Sequence, residues 1–112
     1  TKDDPLVYHC DGQDWAGAIY LTPNAPYDSG TSFFASKYNG QRDCGDPDFD
    51  FETVFNGDFL DPSRFHKVDD IGNVYNRLVI WNSRLIHAAS SYFGSSIEDS
   101  RLFHLFFFDL EE

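Results

Sequence analysis

His9 and Asp11 stand two residues apart in the stretch Tyr8-His9-Cys10-Asp11-Gly12. Alternate side chains of an extended strand share a face, so the imidazole and the carboxylate project together while Cys10 points away. One nitrogen and one oxygen donor from a short strand are two of the three ligands of a 2-His-1-carboxylate facial triad, which leaves open positions on a non-haem Fe(II). The second histidine must come from elsewhere. A chain with 4 His and 19 acidic residues offers such a pair by chance often enough that the surrounding pattern has to decide.

The elements available to position these residues belong to one small domain. A length of 112 residues suffices for a single modest core. A hydrophobic fraction of 41% and 12 Phe argue for a folded chain despite 24% charged residues. The net charge of -11 repels phosphate backbones and anionic lipid, so nucleic-acid and membrane partners are not expected. No apolar run reaches membrane-span length, and the N-terminus lacks the basic and apolar regions of a signal peptide. Cys10 and Cys44 show no C-x-x-C spacing and predict neither a disulfide framework nor a structural zinc site. Cys10 reads as a small buried hydrophobe, and a cytoplasmic location is the expectation. The sequence contains no Met, which predicts that it is part of a longer protein.

Residues 6–11 read as a short strand, and after the turn signals Gly12 to Asp14 a second runs over residues 15–21. Pro23, Asn24 and Pro26 to Gly30 mark a loop before a third strand, Thr31 to Ser36, rich in Thr and Phe. Residues 37–64 differ in kind: Asp, Gly, Pro and Asn alternate with Phe49, Phe51, Phe55 and Phe59, as in a loop insertion that packs its aromatics on the body. A helical turn is expected near Phe51 to Phe55. Further strands are expected at 65–71, 77–81, 85–90, which carries His87, and Arg101 to Leu110. With about seven strands at close spacing and little helix, the class is all-β, a sandwich, barrel or jelly roll. In the last strand Arg101, Phe103, Leu105 and Phe107 share one face, whereas Leu102, His104, Phe106 and Phe108 share the other.

Taken in order, His9-x-Asp11 after an early strand, His87 on a late strand and Arg101 at the start of the last resemble the Fe(II)/2-oxoglutarate-dependent dioxygenases. Ala18-Ile19-Tyr20-Leu21-Thr22 resembles the Tyr-Leu-Asn segment of the prolyl-hydroxylase-like branch, and Ser29-Gly30-Thr31-Ser32-Phe33-Phe34 its Gly-Gly-Thr-x-Phe strand. Asn76 to Trp81, followed by Leu85-Ile86-His87, resembles the stretch that leads into the distal histidine. The resemblance implies a double-stranded β-helix, or jelly roll, with His9, Asp11 and His87 as the metal ligands and catalytic centre. It further implies Arg101 and Tyr20 as the residues that bind 2-oxoglutarate; the planar fork of arginine suits a carboxylate. The implied activity is an oxidoreductase, hydroxylating a small-molecule or peptidyl substrate as 2-oxoglutarate is decarboxylated to succinate.

Only eight residues precede His9. The family's first strand and its N-terminal helices are therefore expected to be missing, leaving a partial domain over residues 1–112 with the insertion at about 37–64. The strand Arg101 to Leu110 would then have a naked edge and an uncovered outer face at Leu102, Phe106 and Phe108, which predicts self-association through it. Two other classes compete. One is a non-catalytic β-sandwich binding module with the aromatic and acidic loop as its contact surface; the other is a cupin-like metal enzyme that does not use 2-oxoglutarate.

Overall fold

Aromatic and β-branched runs, punctuated by Gly, Pro and Asn, form antiparallel strands that lie in two sheets. The computed structural model describes residues 1–96 and 98–110. Its strands are β1 (Trp15–Tyr20), β2 (Thr31–Ser36), β3 (Phe65–Ile71), β4 (Leu78–Asn82), β5 (His87–Ala89) and β6 (Phe103–Phe108). One sheet has the order β4-β1-β6 and the other β3-β2-β5. The all-β expectation holds at this level.

The central strands show why the sheets face each other. All six residues of β2 are buried, because its two faces meet different cores. Phe33 points between the sheets and packs with Ala16, Ala18 and Trp81. Phe34 points the other way and joins Tyr8, Val54, Phe55, Phe65 and Ile86 in a second cluster. That second cluster is where the insertion docks. Within it, helix α1 (Phe51–Phe55) starts on Asp50, whose side chain accepts from Thr53 N at 3.1 Å, and ends on Asn56 in the left-handed region at φ 51°. The turn at Phe51 to Phe55 is present, and of the loop aromatics expected to pack on the body Phe55 and Phe49 do so, whereas Phe51 and Phe59 stay exposed.

In β1, Gly17 lies opposite both Ile80 and Phe106. The Phe106 ring occupies the space that a Cβ on Gly17 would need, so this glycine lets β6 lay an aromatic ring across the sheet.

Three expectations need correction. Residues 6–11 are extended but form no ladder strand: only the bridge from His9 to His87 pairs them, because the pairing partner β5 is itself three residues long. The last strand covers Phe103–Phe108 rather than the whole of 101–110. Cys10 is not a free thiol but is bonded to Cys44, 34 residues away, with a Cα separation of 6.4 Å. Among the described residues no helix is long and apolar enough to cross a membrane. The loop at 94–100 is described except for residue 97.

Candidate metal centre

Backbone pairing brings the first three candidates together. His9 N donates to His87 O at 3.1 Å and His87 N donates to His9 O at 3.0 Å, so the two imidazoles stand side by side with ring centres 4.3 Å apart. Asp11 N donates to Ser83 O at 2.9 Å, out of register with the His9–His87 pair, and this second tie to the segment before His87 holds the carboxylate beside the histidines. Cys10, between them, projects to the opposite side and joins Cys44 beside the Phe34 cluster. One donor atom from each of His9, Asp11 and His87 lies within 4.8 Å of the other two.

The proton positions make this group distinctive. His9 Nδ1 is 2.9 Å from Val7 O and His87 Nδ1 is 2.7 Å from Leu85 O. A carbonyl only accepts, so each Nδ1 carries a proton, which leaves each Nε2 as the ligand atom that ring can offer. Those Nε2 atoms face the Asp11 carboxylate, at 3.8 Å from Oδ1 for His9 and 3.1 Å from Oδ2 for His87. Asp11 Oδ2 is buried and receives no well-directed hydrogen bond. One ligand atom from each of the three residues therefore converges on a common point, an arrangement that a cation would satisfy, and backbone carbonyls on the far ring nitrogens are the usual support for metal-ligating histidines.

Electrostatics keep the donors available. Burial, aided by the neighbouring His87, holds the His9 imidazole below its ordinary value against the opposing pull of Val7 O and Asp11. Burial alone would push the Asp11 carboxyl up, but the polar contact and charge of His87, and then of His9, outweigh it and hold the group below the usual carboxylate range.

Arg101 opens onto the same pocket of about 120 Å³, which His9, Asp11 and His87 line at one end and Thr31, Tyr92 and Phe103 elsewhere. Its Nε donates to Ser29 O at 2.9 Å and one Nη to Gly30 O at 3.2 Å. No carboxylate pairs with it among the described residues. Burial draws the guanidinium below its ordinary value and the nearby Tyr20 and Tyr92 oppose this, yet an arginine stays charged at neutral pH. It is thus a partly buried cation with N–H donors to spare, a ready partner for an anion. Tyr20 is fully buried beneath it, with Arg101 Cζ 5.6 Å from the ring centre, and its hydroxyl pairs with Thr31 Oγ1 at 2.7 Å. Tyr20 therefore reaches the pocket through Arg101 and Thr31 rather than by lining it.

Phe103, Leu105 and Phe107 face the pocket with Arg101, as the alternation of the last strand predicts, and His104 lies on the other face. Thr31 and Tyr92 are pocket residues that the sequence reading did not single out. Thr31 sits within the segment read for its resemblance and could have been found through its neighbour Gly30; nothing in the sequence signals Tyr92. Comparison with protein-family models, curated proteins and solved structures finds no match to this chain.

Proposed function

We propose that this protein is an oxidoreductase of the Fe(II)- and 2-oxoglutarate-dependent dioxygenase class, with His9, Asp11 and His87 as metal ligands and Arg101 as the anchor for 2-oxoglutarate. One observation carries the reading: a convergent His-Asp-His donor set shares a small pocket with an arginine that has no acidic partner among the described residues. Fe(II) in that position would bring 2-oxoglutarate and O2 together for hydroxylation of a substrate C–H bond. The protein's part is to hold three donors by backbone pairing, to present Arg101 to a carboxylate, and to wall the pocket with Trp81, Phe103 and Leu105.

The strand orders favour a double-stranded β-helix, since apart from the β2–β3 pair successive strands change sheet: β1, β4 and β6 lie in one, β2, β3 and β5 in the other, and His9 beside β5. Self-association through β6 belongs to the same reading, because among the described residues β6 pairs only with β1 and Leu102 and Leu110 are exposed beside it, although Phe106 and Phe108 of the expected outer face are half-buried. The Cys10–Cys44 bond fits an oxidising compartment better than the cytoplasm expected from the cysteine count.

An anaerobic titration with Fe(II) and then 2-oxoglutarate, followed by visible absorption, tests the function. The expected result is a charge-transfer band that needs both components and vanishes in Asp11→Ala. Metal binding without the band would replace this reading by a cupin-like metal enzyme. No metal binding at all would overturn it in favour of a β-sandwich binding module.

A further inference from the structure

The pocket of the candidate metal centre lies where β5 and β6 bound the space between the sheets. The other outer strands, β3 and β4, bound a second and larger cavity of about 490 Å³, inside the range of roughly 300 to 1,000 Å³ that small-ligand sites occupy. Its walls are apolar: Trp15, Phe33, Ile71, Val79, Trp81 and Leu85. None of His9, Asp11, His87 or Arg101 lines it.

Of the polar side chains at this cavity, the exposed Arg42 is open to a ligand, whereas the Trp81 N–H is shut off by its neighbours. Trp81 is 7% exposed, and its indole N–H is buried with no acceptor among the described residues. Arg42, at the rim, uses its backbone carbonyl to accept from Ile86 N, but its guanidinium has no ion pair or hydrogen bond among the described residues. The acidic group on the opposite wall does not neutralise it. Asp69 is exposed, forms no ion pair with Arg42, and has one oxygen engaged by Asp70 N at 2.9 Å.

We propose that this cavity binds a small molecule with an apolar, aromatic or branched body and a single carboxylate. The carboxylate pairs with Arg42 at the rim, and the body packs among Phe33, Val79 and Trp81. A guanidinium at the mouth of an apolar slot selects an anion over its neutral analogue, because only the anion makes charge-assisted hydrogen bonds there. The proposal stands apart from the metal reading, since no residue of the metal centre takes part. Trp81 lines both spaces and its ring centre is 5.3 Å from that of His87, so occupancy of the larger cavity would be felt at the metal centre through one side chain.

The chain's 2 Trp are both in the cavity wall, so intrinsic emission reports on it directly. Titrating the full chain with 3-phenylpropanoate should change tryptophan emission saturably. Arg42→Gln should weaken the affinity about tenfold, as loss of a charge-assisted pair does. Trp81→Phe should weaken it by a smaller factor, read by calorimetry, and the neutral 3-phenylpropan-1-ol should bind no better to the native chain than 3-phenylpropanoate binds to Arg42→Gln. Equal affinity in native and Arg42→Gln proteins of matching circular dichroism would overturn the proposal. So would an effect confined to Arg101→Gln, which would place the probe in the smaller pocket, and so would a response that never saturates.

Discussion

His9 and His87 exchange both of their backbone hydrogen bonds, and this one pair does two jobs: it closes residues 6–11 onto β5 and sets the two imidazoles 4.3 Å apart. Because the pairing is made by the backbone, replacing either side chain removes a ligand without removing the alignment. His87→Ala and Asp11→Ala should therefore stay folded and lose divalent-metal binding. With native protein, a redox-inert ion such as Mn(II) at a hundred times its dissociation constant should add about 2.7 kcal/mol of stability, a rise in melting temperature on the order of 10 °C. Thermal melts with and without metal check this; a shift that persists in both variants would remove these residues from the site.

Cys10 and Cys44 close a loop over the segment that carries β1, β2 and the start of the insertion. For a separation of 34 residues, constraining the unfolded chain accounts for about 3 to 4 kcal/mol. Cys10→Ser combined with Cys44→Ser should lower the urea-unfolding free energy by about that much. Metal stoichiometry should be retained, since His9 and Asp11 keep their backbone partners His87 and Ser83. Titration of thiols in denatured, unreduced protein should find none.

Asp70 accepts from Ser32 Oγ at 2.6 Å and Ser90 Oγ at 2.9 Å and ties β2 and β3 to the segment after β5. Burial alone would raise its carboxyl, but the two serines and Lys67 outweigh burial and hold it below the usual carboxylate range. A carboxyl lowered on folding stabilises the native state above its unfolded value, near pH 4, and that stability is lost as pH falls through the lower folded value. Acid denaturation below pH about 4 should therefore steepen in native protein and flatten in Asp70→Asn. At neutral pH the substitution should cost about 1 kcal/mol, a small figure because the side chain is 45% exposed and screened.

Local chemistry explains which parts of this structure were legible beforehand. Thr31 to Ser36 and Phe65 to Ile71 carry β-branched and aromatic residues between clear turn signals, and β2 and β3 keep those bounds. Alternation placed Cys10 away from His9 and Asp11 and put Phe103 and Leu105 on the face of Arg101. Strand existence and facing are written within a few residues, but partnership is not. That Cys10 meets Cys44, or that β6 pairs with β1 rather than β5, is decided by closing long stretches of chain, and no local pattern encodes it. Residues 6–11 read as a strand for a related reason: they have the right side chains, but β5 offers them only one bridge.

The free edge of β6 makes a prediction about assembly. Leu102 is 58% exposed and Leu110 is 62% exposed at the two ends of a strand that, among the described residues, pairs on one side only. Sedimentation equilibrium should give a mass above that of one chain at high concentration, and Leu102→Lys with Leu110→Lys should return it to the monomer. A native chain that remains monomeric throughout would sink the idea.

Gly30 links the fold to the Arg101 pocket. It precedes β2, its carbonyl accepts from Arg101 and also from Ser90 N, and a Cβ placed on it would strike the carbonyl oxygen of Ile71, which is backbone and cannot swing aside. Gly30→Ala must therefore push the start of β2 away from the end of β3, where Thr31 pairs with Ile71. Overpacking of this kind costs about 1 to 3 kcal/mol, and here it also displaces an acceptor that holds the guanidinium. Chemical denaturation should show the loss of stability. Binding of 2-oxoglutarate, measured by calorimetry with Mn(II) present, should weaken more than Mn(II) binding itself, because His9, Asp11 and His87 are aligned by pairings that do not involve Gly30. Equal weakening of both would mean that the two halves of the pocket move as one unit and that Gly30 supports the whole rather than the arginine.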